Sequence, residues 1–97
     1  MSAVVGILQL TLYLPENHSL KGKRSVVRSI KARVRTKFNV SVAEVAELDS
    51  WQTIVLAVAQ IGNGRDHVDR SLREVSQFVT SLGLAEPGRE TYEFTNY

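Results

Sequence analysis

The chain has 97 residues, of which 43% are hydrophobic, and no cysteine. This fits one small domain over residues 1–97 with a single core layer, and it excludes disulfides and thiolate metal sites. No apolar run approaches the roughly 20 residues of a membrane-spanning helix. The apolar start alternates and lacks the basic lead of a signal peptide, so the expectation is a cytoplasmic protein with no membrane partner. The net charge is only +2, but it is divided unevenly. Residues 1–37 hold eight basic residues and one acid, whereas residues 38–97 hold four basic residues and nine acids.

Period-2 alternation predicts a first strand over residues 3–14. It turns Val4, Gly6, Leu8, Leu10, Leu12 and Leu14 to the core and Val5, Ile7, Gln9, Thr11 and Tyr13 outward. Pro15, with no N–H for a ladder, ends it. Ser19 is a natural N-cap for a helix over 20–37, with Leu20, Val27, Ile30, Val34 and Phe38 on one side. Gly22 in its first turn is a flaw costing about 1 kcal/mol against Ala.

A second strand is predicted over 39–48, carrying Val40, Val42 and Val45, with Asp49 and Ser50 as a hairpin turn. A third, over 51–61, faces Ile54, Leu56 and Val58 to the helices and Thr53, Val55, Ala57 and Ala59 away. Gly62, Asn63 and Gly64 break it. A second helix over 66–82 repeats Val68, Leu72, Val75, Val79 and Leu82 on one face. Asp66 and Asp69 lie near its positive end, and Gly83 is placed to stop it. Glu86, Pro87 and Gly88 read as a turn before a fourth strand over 89–95, with Tyr92 and Phe94 on one face.

Strands one and three are the most apolar, which makes them central. Right-handed crossovers then give the order 4-1-3-2. The predicted fold is therefore an α/β (α+β) ferredoxin-like βαββαβ plait, a four-stranded antiparallel sheet with two helices on one face.

Several segments together resemble the YlxP-like family of small bacterial proteins, over nearly the whole length. They are HSLKGKR at His18–Arg24, FNVSVAE at Phe38–Glu44, Trp51, and the run from Asn63 to Asp69. The family usually carries an acid or another helix former where Gly22 stands, a departure that weakens a first-turn capping box. The resemblance implies the same fold and a domain of unknown function. Its genes lie beside those for translation initiation and ribosome maturation, which by association implies RNA or the ribosome as partner.

The charge asymmetry falls on the first helix. All eight basic residues of the first 37 lie in residues 21–37, with no acid among them. Lys21, Arg24, Arg28, Lys31 and Arg35 recur at three- and four-residue spacing and form one stripe, with Lys23, Arg33 and Lys37 on other exposed parts of the helix. Like charges at i,i+4 cost about 0.2–0.5 kcal/mol per pair. A phosphate backbone would convert that repulsion into affinity through counterion release. The expected nucleic-acid-binding residues are thus Lys21, Lys23, Arg24, Arg28, Lys31 and Arg35. The competing reading is a solvated face neutralised by Glu44, Glu47 or Glu93.

The outward sheet face is poor in aromatics, offering only Tyr13 in the first strand and none within Thr53 to Ala59. This argues against a base-stacking sheet of the RNA-recognition-motif kind. Val5, Ile7, Val55 and Ala57, with Ala43, form instead a small apolar surface suited to self-association. The residues 62–64 match no phosphate-loop fingerprint and read as a strand-to-helix turn. His18 and His67 lack partners at metal or catalytic spacing. Trp51 is expected to pack under a helix end or sit at an interface, with core or hinge packing favoured over ligand stacking. No catalytic, metal or cofactor site is read. The two functional expectations are a non-enzymatic accessory factor docking on RNA or the ribosome through the first helix, and a homodimeric adaptor or regulatory module joined through the open sheet face.

Overall fold

In a computed structural model of the chain, which describes residues 2–97, the N-terminal alternation forms β1 (Val4–Tyr13) in the middle of a sheet. The remaining elements follow as α1 (Leu20–Lys37), β2 (Ser41–Ala46), β3 (Thr53–Gly62), α2 (Arg65–Ser81) and β4 (Glu86–Asn96). The strands are antiparallel and stand in the order β2-β3-β1-β4. This is the βαββαβ plait expected from the sequence, with the two most apolar strands central.

Register divides the two faces. Leu8 stands opposite Val58 on one side and Tyr92 on the other, all pointing to the helices. Leu8, Leu10, Leu12, Ile54, Leu56 and Val58 meet Val27, Ile30 and Val34 of α1 and Val68, Leu72, Val75 and Val79 of α2 in one buried cluster. Each such side chain contributes roughly 1.5–3 kcal/mol by leaving water. Gly6 lets α2 approach β1 closely, because a Cβ there would stand 2.6 Å from Val68 Cγ1 and 2.8 Å from Leu72 Cδ1. No described helix is long and apolar enough to cross a membrane.

Of the element boundaries that differ from the sequence reading, three have a clear local reason. Glu86, Pro87 and Gly88 belong to β4 and not to a turn, because β1 runs on beside them across a register shift between Leu10 and Leu12. Pro87 is tolerated because β4 is an edge strand. β2 stops at Ala46 after a bulge that leaves Val45 unpaired, and Glu47 then turns the chain at φ 56°. β3 starts only at Thr53, because Ser50 Oγ accepts from the N–H groups of Gln52 (3.3 Å) and Thr53 (3.1 Å) and holds Trp51 in a bend.

The N-terminus of α1 gives Gly22 a purpose. Ser19 Oγ accepts from Gly22 N at 2.9 Å, as an N-cap should. The Asn17 side chain lies over the same turn, its Nδ2 donating to Ser19 O at 2.7 Å and to Trp51 O at 2.6 Å. A Cβ on Gly22 would collide with Asn17 Oδ1. The apparent flaw in the helix is therefore the space that lets Asn17 tie α1 to the β2–β3 hairpin.

Gly22→Ala tests this directly. Helix propensity alone predicts a gain of about 1 kcal/mol. Displacing Asn17 forfeits two hydrogen bonds of about 0.5–1.5 kcal/mol each. The expected outcome in thermal denaturation is an unchanged or lower Tm; a clear rise would show that the Asn17 tie contributes nothing.

Candidate nucleic-acid interface

The basic residues of α1 separate into one structural cation and an exposed row. Lys23 was expected on the surface among the nucleic-acid contacts, but its side chain is 0% exposed. Its Nζ donates to Glu47 O at 2.7 Å and Thr53 O at 3.2 Å, and it pairs with Glu44 Oε2 at 3.0 Å. Two of the three ammonium donors thus meet carbonyl acceptors, and the Glu44 carboxylate beside them supplies the counter-charge without accepting a hydrogen bond at Oε2. The physical reason is positional. Residue 23 lies four before Val27 on the buried face that continues through Ile30 and Val34, so the side chain must cross the core to reach the hairpin. Lys23 is removed from the candidate interface.

Lys21, Arg24, Arg28 and Arg35 are exposed and Lys31 is half-buried. Arg24, Arg28, Lys31 and Arg35, with Glu44 of β2, line a groove of about 260 Å³ beside the helix. Arg35 is anchored there, its Nη2 donating to Val42 O at 2.8 Å. Lys21, Arg24, Arg28 and Lys31 form no side-chain hydrogen bond and no ion pair with any described residue; the ion pairs among these residues are Lys23–Glu44 and Arg73–Asp69. From Lys21 to Lys31 the helix rises about 15 Å.

Among the described residues, none of the acids of the competing reading forms an ion pair with this row. Glu44 is the partner of Lys23, and Glu47 lies in the hairpin turn. Glu93 pairs with Ile7 on the outward sheet face. Two of the three cations of α2 make a useful contrast. Arg73 pairs with Asp69 at 3.0 Å and covers the Tyr92 ring at 4.3 Å, while Arg65 covers Phe94 at 4.5 Å. On α1 itself Lys37 lies 4.7 Å from the Phe78 ring centre, and Arg33 donates to Ser29 Oγ at 3.3 Å.

The expected self-association residues lie on the opposite side of the sheet. Ile7 is 42% exposed, and Val5 and Ala57 are half-buried. Val55 was expected to contribute and does not, being only 6% exposed. It stands between Thr11 and Ala46 at the bulge, where neighbours on both sides shield it. Ile61, at 68% exposure opposite Val5, is the apolar residue that takes its place. The remaining candidates have ordinary settings. Gly62 ends β3 opposite Val4, Gly64 caps α2 without a side-chain bond, and His18 and His67 are exposed. Trp51, for which core or hinge packing was favoured over ligand stacking, is instead 53% exposed.

Fold and surface together define a small ferredoxin-like α/β plait with an uncompensated basic helix. The chain belongs to the family described as "Protein of unknown function (DUF503)", whose model matches residues 5–87. It is similar to "Uncharacterized protein YlxP" of Bacillus subtilis (strain 168), with 32% identity over 79 residues, which cover 81% of this chain and 86% of the relative. Among solved structures, a dimeric protein of unknown function and ferredoxin-like fold from Bacteroides fragilis NCTC 9343 aligns with a TM-score of 0.53 at 11% identity, covering 97% of this chain and 96% of that one. The de novo designed protein Foldit4 aligns with a TM-score of 0.50 at 12% identity, over 98% and 96% of the two chains. At such identities the likeness is one of fold.

The buried pair is expected to contribute more than any exposed charge of α1. Lys23→Met leaves the Glu44 carboxylate, with only 16% of its side chain exposed, without its counter-charge. The expected loss is about 3 kcal/mol in denaturant unfolding, and Lys23→Met with Glu44→Met should recover most of it. A wild-type midpoint for Lys23→Met alone would contradict this account of the pair.

Proposed function

We propose that this protein is a non-enzymatic accessory factor that docks on RNA, or on an RNA–protein particle such as the ribosome, through the exposed basic edge of α1. The observation that carries the reading is the row Lys21, Arg24, Arg28 and Lys31, four cations on one helix without an internal partner. A solvated face of purely structural origin gains from acids mixed into it, as on α2, where Asp69 serves Arg73. Phosphates supply the missing counter-charge, and lysine and arginine bind them without reading sequence. The family and relative bear labels of unknown function, and no enzyme family is indicated.

Binding to single-stranded RNA is expected to weaken with salt. With about four phosphates neutralised, the slope of log affinity against log salt should be about −3. Arg24→Gln, Arg28→Gln and Lys31→Gln together should reduce affinity at least tenfold at low salt in fluorescence anisotropy, with an unchanged circular dichroism spectrum. Equal binding by this variant and wild type at 50 mM salt would refute the reading.

A second reading, self-association through the open sheet face, is favoured by the exposed Ile7 and Ile61 beside half-buried Val5, Ala57 and Ala59 on the central strands. Isoleucines in the middle of a sheet face are shielded when a second copy covers them. This surface lies across the sheet from α1, so the two readings are compatible. Light scattering is expected to give twice the 10.8 kDa chain mass, and Ile7→Glu should return it to the monomer value. A monomeric wild type at working concentration removes the second reading.

A further inference from the structure

Trp51 is a large aromatic residue that the fold holds firmly and leaves open. Its backbone carbonyl accepts from Asn17 Nδ2 at 2.6 Å, and the same Asn17 amide also reaches the carbonyl of Ser19, the N-cap of α1. The next residue, Gln52, accepts from Leu14 N at 2.9 Å, while its Nε2 donates to Pro15 O and Asn17 O at 3.2 and 3.1 Å. Ser50 closes the bend from the other side. The indole takes no part in these bonds, and the residue is 53% exposed. Any residue would supply the carbonyl, so the ring is not required by the hairpin that carries it.

The ring's position in the molecule is the second observation. The Asn17 tie fixes Trp51 at the N-terminal end of α1, the end from which Lys21 and Arg24 project to solvent. An exposed π-face at the end of a row of free cations has the chemistry of a single-stranded nucleic acid, in which charged phosphates alternate with unstacked bases. A duplex keeps its bases stacked and offers the ring nothing. A simple polyanion fills the cations alone.

We propose that Trp51 is a stacking platform for an unpaired nucleobase whose flanking phosphates lie on the basic row of α1. The inference rests on the phosphate-binding reading above and adds that the bound nucleic acid is single-stranded at the N-terminal end of the helix. It places the aromatic contact on the hairpin and not on the sheet face.

Trp51 is the only tryptophan in the chain, so its fluorescence reports this contact alone. The probes are a mixed-sequence single-stranded RNA of about a dozen nucleotides and heparin, a polyanion without bases. RNA is expected to quench the emission, and heparin to bind, as judged by displacement of labelled RNA, without quenching. Trp51→Ala should weaken RNA binding roughly 5- to 150-fold, the range for loss of one stacked base, and leave heparin affinity unchanged. Trp51→Phe should retain most of the RNA affinity. RNA that binds by anisotropy without quenching, and equally to Trp51→Ala, overturns the stacking contact while the phosphate reading stands. Failure of both probes to bind the wild type overturns both.

Discussion

A single buried ammonium organises much of this molecule. Lys23 leaves α1 on its apolar face and ends among two hairpin carbonyls and the Glu44 carboxylate. A charge in that position is tolerated because two carbonyls accept from it and a carboxylate lies 3.0 Å away, and removing that counter-charge would leave it costly. The contact fixes how α1 lies against β2 and β3. Asn17 does the same one turn earlier by bridging the N-cap to Trp51 O, and Gly22 makes room for it. The first helix is thus tied to the hairpin at its N-terminal end by polar contacts and held further along by Val27, Ile30 and Val34.

This arrangement has an electrostatic consequence. Glu44 is the acid of β2, the strand beside α1, and its nearest cation is the buried one. The outer cations Lys21, Arg24, Arg28 and Lys31 form no ion pair with a described residue, and Glu44, which lines the groove beside them, is paired with Lys23. Structure and proposed function therefore share one helix, with the inner face stapled to the sheet and the outer edge left free. The sheet's other surface, with Ile7 and Ile61 exposed, remains available for a different contact.

Most of the fold was legible in the alternation of β1, the four–three spacing of α2 and the apolar character of β3. The limits of α1, from Ser19 as cap to Lys37, were legible as well. What escaped was polar and long-range. Lys23 occupies a core position by its spacing from Val27, and that was a usable signal. Charge argued the other way, and only the approach of two hairpin carbonyls, over 20 residues distant in sequence, reverses the argument. Val55 sits on the predicted face but is shielded at a bulge that no pattern announces. Trp51 opens an apolar strand and so resembles a core residue; Ser50 holds it in a bend before the ladder begins. Pro87 looked like a turn because Glu-Pro-Gly has turn composition, although the predicted order already put this strand at an edge, where a proline is tolerated.

The central claim is that α1 presents the molecule's nucleic-acid surface, and amide chemical-shift mapping during titration with single-stranded RNA tests it most directly. The account predicts that the largest changes fall on residues 20–35 of α1 and on the adjoining hairpin bend, and that they shrink as salt is raised. Changes concentrated on the outward residues of β1 and β3, with α1 unmoved, would contradict it.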